Sequence, residues 1–288
     1  MKLASFAIGG LEGFGAVTDS GVIGLTGRLA GRHQTLREVL EADALDEARA
    51  AIEGVEADYP VDKVEFLLPI PNPEKIYCVG QNYLEHILEM GYEIPTSPSI
   101  FSRYARTFVP HNDTMDMPSH SEHFDYEAEM TIVIGHPARH VSEADALDYV
   151  AGYTVANDGS VRDWQARGPQ VAPGKNWENS GMLGPWITTA DEAGDPANMS
   201  VKSWVNGELR QEGNTSDLVF SAAFLVSYLS TFITLMPGDM ITTGSPAGVA
   251  VGFTPPKWLK PGDTVEVEIE RVGRLSAIVG PPTQQPDI

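Results

Sequence analysis

The stretch that most constrains this chain is Phe124-Asp125-Tyr126-Glu127-Ala128-Glu129-Met130-Thr131-Ile132-Val133-Ile134-Gly135. It ends in an apolar, β-branched run and stops at a glycine, which predicts a strand. Side chains two apart on a strand share a face. Glu127 and Glu129 therefore stand side by side, with Cα atoms about 6–7 Å apart from the rise per residue. Adjacent carboxylates repel, and a bound cation removes that penalty. The alternative is the ordinary polar face of an edge strand.

The 288 residues suffice for one large core, or for a core with a small satellite. The single Cys78 rules out an intrachain disulfide framework and a multi-cysteine metal site. It lies in the strand-like run Lys75–Gly80 and reads as a buried, inert thiol. No apolar run approaches a membrane span, and Met1–Phe6 carries no signal-peptide pattern, so a soluble cytoplasmic protein is expected. The net charge of −21 repels phosphates and argues against nucleic acid or an anionic membrane as partner. An anionic substrate needs a locally reversed field, which a bound divalent cation supplies.

Along the chain, residues 1–72 read as a small N-terminal module. It holds two short strands around Asp19-Ser20-Gly21, a helix from Thr35 to Ile52 and a strand at Val64–Leu68. The prolines at 69, 71 and 73 then read as a stiff linker. A strand at Ile76–Gly80 runs into a short helix, Leu84–Met90, closed by Gly91. On that helix His86 and Glu89 are three apart and share a face, which suits a carboxylate-oriented general base or an incidental surface pair. Ser142 is expected to start a further helix. Tyr153–Asn157 is a strand delivering Asp158 at its end, either as a turn former or as a third carboxylate. Asn206-Gly207 is a hairpin signal. Ser221–Ile233 is an apolar helix with its cap near Asp217. The glycine-rich run Thr242–Val249 lacks a Walker ending and suits a small carboxylate or a plain turn. Many short strands and few helices predict a β-rich α+β fold.

These pieces, in this order between about Lys75 and Gly280, resemble the fumarylacetoacetate hydrolase superfamily. They include Gly80-Gln81-Asn82-Tyr83, His86-x-x-Glu89-Met90-Gly91, Asp125-Tyr126-Glu127-Ala128-Glu129 and Ala156-Asn157-Asp158. Further on come Arg162-Asp163-Trp164-Gln165, Gly174-Lys175, Val205-Asn206-Gly207-Glu208 and Thr243-Gly244-Ser245-Pro246-Ala247-Gly248. The resemblance implies mixed β-sheets rolled, barrel-like, around the site of a catalytic domain at 73–288, a small α/β N-terminal domain and a homodimer. It also implies one Mg²⁺ or Mn²⁺ held by Glu127, Glu129 and Asp158. Three hard anionic oxygens agree with such an ion.

By the same resemblance the substrate is a small 2-oxo acid whose enolate the cation stabilises. The expected activity is metal-dependent hydrolysis of a carbon–carbon bond in a 2,4-dioxo acid such as an acylpyruvate, in the catabolism of aromatic compounds or sugars. His86, held by Glu89, would activate water, while Lys175 and Gln165 hold developing charge. Thr243 and Gly244 would place the carboxylate, with Tyr83, Arg103 and Arg162 as further substrate contacts. Decarboxylation, tautomerisation or hydration of 2-oxo dicarboxylates on the same site is the alternative. A non-catalytic oxo-acid binding module is a third reading. Relatives commonly have Lys at the position of Arg103, and Ser-Phe-Asp where this chain has Asn176-Trp177-Glu178, so substrate identity is less constrained than the metal site.

Overall fold

The computed structural model describes residues 1–29 and 31–282; residues 283–288, the end of the expected 73–288 domain, lie outside the described residues. Its largest sheet has 11 strands. Their main order is Gly21–Gly24, Leu11–Thr18, Lys2–Ile8, Gly181–Thr189, Val150–Asn157, Ala128–Ile134, Met240–Thr242, Ile76–Gly80 and Ser99–Arg103. A second sheet of 5 strands runs Glu208–Asn214, Ser200–Val205, Thr264–Ile269, Gly273–Pro282 and Thr114–Met117. The central strand Ala128–Ile134 is buried on both faces, as its apolar run predicts. Its Met130, Ile132 and Ile134 pack with Val201, Val267 and Leu275 of the second sheet. Val133, on the other face, packs with Leu3, Leu36 and Val39 of the N-terminal segment.

That shared core alters the expected two-part organisation. Lys2 and Leu3 pair with Thr188 and Ile187, so the first strands extend the large sheet rather than forming a separate body. The Thr35–Ile52 helix is two helices, Leu36–Glu41 and Leu45–Ile52, because Asp43 between them takes a left-handed φ of 53°. Thr35 does cap the first, its hydroxyl accepting from the Glu38 N–H. The Asn206-Gly207 turn has positive φ at both residues, as its hairpin requires. The Ala222–Ser230 helix is capped by Ser221, whose Oγ accepts from the Phe224 N–H, and not from the region of Asp217. After Ser142 the chain forms only a 3₁₀ turn, Ala146–Tyr149.

The strand expected over 124–135 is broken. Phe124–Asp125 pairs with Ser160–Val161 in a separate ribbon, and the long strand begins at Ala128. Between them the Glu127 N–H donates to Asn157 Oδ1 and its carbonyl accepts from the Asp158 N–H. A side-chain acceptor replaces the ladder there. Four adjacent strands reach the same edge of the sheet: Ala128–Ile134 starts there, and Val150–Asn157, Met240–Thr242 and Ile76–Gly80 end there.

Candidate active site

That edge carries the acidic residues. Glu127 and Glu129 flank the start of the central strand, and Asp158 follows the end of its neighbour. All three are buried, and one carboxylate oxygen from each lies within 4.8 Å of the others. Around them stand three cations. Lys175 Nζ donates to Glu127 Oε2 at 2.6 Å and Asp158 Oδ2 at 2.7 Å. Arg162 Nε donates to Asp125 Oδ2 at 2.8 Å, and its Nη2 pairs with Glu127 Oε1 at 2.7 Å in an angle too bent for a hydrogen bond. Arg103 Nη1 donates to Asp158 Oδ1 at 2.6 Å.

Asp125, Glu127 and Asp158 thus each meet a cation. Glu129 meets none among the described residues: its Oε2 accepts only from the Gly244 N–H, at 2.9 Å. Burial opposes ionisation of Glu127, but Lys175 and Arg162 outweigh it and hold the carboxyl well below its ordinary range. Burial, then the charges of Asp158 and Glu127, push Glu129 well above it. Four buried carboxylates against three cations leave one negative charge over. With no sulfur or imidazole in the triad, this donor set fits a hard divalent cation.

Beside the triad is a cavity of about 470 Å³, lined in part by Gly80, His86, Phe101, Glu127, Glu129, Asp158, Arg162, Gln165, Lys175 and Gly244. His86 is buried on the Leu84–Glu89 helix, with Nδ1 3.0 Å from Glu89 Oε2. Glu89 also accepts from the Gly248 N–H at 3.1 Å, so the dyad is tied to the glycine-rich loop. Gln165 Oε1 accepts from Arg162 Nη1.

Three residues expected to touch substrate lie elsewhere. Arg103 does not line the cavity. It is buried and spends its remaining donors on Thr107, Ser180 and the Gly159 carbonyl. It supports Asp158 instead. The Thr243 hydroxyl donates to the Met130 carbonyl, so only the adjacent Gly244 faces the cavity. Tyr83 is packed in the apolar core at the start of the helix.

The family model described as fumarylacetoacetate (FAA) hydrolase C-terminal matches residues 75–279. The chain belongs to the fumarylacetoacetate hydrolase family. Within that family it is 41% identical over 245 residues to the mitochondrial oxaloacetate tautomerase fahd2 of Xenopus laevis, covering 84% of this chain and 77% of that one. It is 43% identical over 212 residues to the 4-hydroxyphenylacetate degradation bifunctional isomerase/decarboxylase of Salmonella dublin, covering 73% and 48%. The solved maleylpyruvate hydrolase of Sphingobium sp. SYK-6, in complex with manganese(II) and pyruvate, superposes with a TM-score of 0.82 at 29% identity, over 98% of this chain and 100% of that one. The fumarylacetoacetate hydrolase fold expected from the sequence is the fold observed. No helix among the described residues is long and apolar enough to cross a membrane. The Xenopus relative is mitochondrial by name, which lends nothing to the cytoplasmic expectation.

Three supports of this family site, Ser245, Gln211 and Asp125, are not singled out by the sequence. Ser245 lines the cavity, and its Oγ accepts from Gln211 Nε2 at 2.6 Å, which leaves the Ser245 proton free to donate inward. Gln211 is itself saturated: its Oε1 takes the Ala128 N–H and the Ser203 hydroxyl, and its Nε2 also reaches the Pro246 carbonyl. Asp125 anchors Arg162 and accepts from the N–H groups of Ala250 and Val251. Ser245 and Asp125 both stand inside the quoted motifs, next to residues that were selected. Nothing in the sequence marks Gln211, which is exposed by strand spacing to no visible partner until the sheets are packed.

Proposed function

We propose that this chain interconverts the keto and enol forms of a small 2-oxo dicarboxylic acid of the oxaloacetate type. The observation that carries this reading is the state of the cavity's basic groups. Lys175 and Arg162 are both committed to carboxylates, which leaves the His86–Glu89 dyad as the one uncommitted acid–base unit facing the substrate space among the described residues. A proton shift needs such a unit and little else. Hydrolysis needs, besides, a group to hold the oxyanion at a second carbonyl, and with both cations spent that role falls to neutral donors alone, the Ser245 hydroxyl and the Gln165 amide. The similarity to oxaloacetate tautomerases supports the same choice over the hydrolytic expectation.

Glu89 holds Nδ1 of His86 and so turns Nε2 to the cavity. Nε2 takes a proton from C3; the C–H electron pair becomes the C2–C3 double bond, and the 2-oxo oxygen gains a proton. The imidazolium so formed hands the same proton to the 2-oxo oxygen, so one uncommitted acid–base unit completes the shift. The N–H of Gly244 is spent on Glu129, so Ser245 is the donor on this loop for a substrate carboxylate. Mg²⁺ or Mn²⁺ held by Glu127, Glu129 and Asp158 would acidify C3–H by drawing charge onto the 2-oxo oxygen. Decarboxylation is the second reading, supported by the relative from Salmonella dublin.

The test follows loss of the enol ultraviolet absorbance of oxaloacetate with each metal, alongside carbon dioxide release and cleavage of an acylpyruvate. Metal-dependent acceleration of ketonisation, abolished in His86→Ala, is expected. Acylpyruvate cleavage without any effect on the oxaloacetate equilibration rate would overturn the proposal.

A further inference from the structure

Beneath the triad the sheet carries a row of polar residues that the chemistry above does not use. In register across three adjacent strands, Thr131 stands opposite Thr154 on one side and Thr242 on the other. All three are fully buried; the hydroxyls of Thr131 and Thr154 have no protein hydrogen-bond partner, and that of Thr242 has only the weak Cys78 thiol close by. Cys78 continues the row on the next strand, opposite Thr242. Thr131 follows Glu129 by two residues, so the row is the next rung down on the face that carries Glu129.

A buried hydroxyl without a partner is destabilising, and two side by side are unusual in a folded core. Valine has nearly the same shape and no such cost, and the neighbouring rung supplies Val133 on the same face of the same strand. Hydroxyls at these positions therefore need something to bond. The three hydroxyls share one rung and none is hydrogen-bonded to another, an arrangement that a bridging water between each pair would satisfy. The pairing of Val150–Asn157 with Gly181–Thr189 shifts register between Tyr153 and Val155, which leaves Thr154 at an irregularity, and the small Ala156 stands opposite Glu129.

The geometry points to an internal water site: a short line of ordered waters held by Thr154, Thr131 and Thr242, which props Glu129 from below and fixes it as a ligand. Glu129 is the triad member with a single hydrogen bond and no basic partner among the described residues. The threonines are positioning residues here; they touch neither substrate nor metal. This inference rests on the triad holding a divalent cation, and not on which reaction follows.

The test uses the full chain and three measurements. A high-resolution crystal structure is expected to show waters bridging the hydroxyls. Thr131→Val and Thr242→Val are expected to keep or raise Tm without metal, yet to weaken Mn²⁺ binding by roughly 10-fold in calorimetric titration, as loss of outer supports does elsewhere. Thr131→Ser, which keeps the hydroxyl, should bind Mn²⁺ like the parent. A dry row, or valine variants that bind Mn²⁺ as tightly as the parent, overturns the proposal. Should Thr131→Val fail to fold, Thr242→Val on the neighbouring strand decides. Ordered waters in a parent protein that binds no Mn²⁺ would overturn the prop for Glu129 and the metal reading together, while leaving the tautomerase question to its own assay.

Discussion

No basic side chain meets Glu129, and burial with its acidic neighbours opposes its ionisation, whereas Glu127, two residues away, is gripped by Lys175 and Arg162. The two substitutions should therefore differ in their effect on stability. Glu129→Gln puts a neutral isostere in place of a carboxyl held toward its neutral form, so Tm in the absence of metal should match the parent's while Glu129 is protonated and exceed it as rising pH ionises that residue. Glu127→Gln takes one of two carboxylate partners from each of Lys175 and Arg162 and should cost about 3 kcal/mol. Both should lose Mn²⁺ binding; thermal melts and calorimetric titration check the pair. Arg103 makes a similar point. Its charge is plain in the sequence, but its five-donor fork, spread over Asp158, Gly159, Thr107 and Ser180, is visible only once those segments converge. Arg103→Lys keeps the charge and loses most of the fork, so Mn²⁺ affinity and Tm should both fall although the formal charge is unchanged. Glu127 with Glu129, and His86 with Glu89, are legible because their spacing suggests a shared face, whereas Asp158, on a separate strand, joins them only through the family resemblance. Roles that depend on long-range burial, such as those of Arg103, Thr243 and Gln211, are not legible.

Elements were legible where local chemistry specifies them. Asn206-Gly207 and Thr35 act locally, and the turn and the cap stand where they read. The cap of the Ala222–Ser230 helix was misplaced because Asp217 and Ser221 both suit the role, and only the backbone path selects Ser221. Ser221→Ala should cost about 1 kcal/mol, while Asp217→Ala should leave this helix unaffected; urea melts distinguish them. The break at Tyr126-Glu127 was hidden for a different reason. An uninterrupted β-prone sequence gives no sign that Asn157, 30 positions on, will take the Glu127 N–H. That break takes Glu127 off the strand ladder and ties its backbone to Asn157 and Asp158, next to the third carboxylate.

At the scale of the molecule, the first 72 residues share a sheet and a core with the rest. Removing them uncovers the edge of Gly181–Thr189 and strips Leu3, Phe14, Leu36 and Val39 from the face of the central strand. A chain of residues 73–288 is therefore expected to aggregate or to lose cooperative melting, measurable by circular dichroism and light scattering. The proline series near residue 72 reads as a stiff linker, but stiffness between two segments does not make them independent.

Three of the 19 basic side chains, Arg103, Arg162 and Lys175, are sunk around the acidic centre, in a chain whose net charge is −21. A dianion arriving from solution thus meets repulsion at long range before any cation can reach it. Dissolved electrolyte shortens that range to about 10 Å at 0.1 M. Capture of a dicarboxylate, read as kcat/KM, should accordingly quicken as ionic strength rises, the reverse of enzymes that steer anions with a basic exterior.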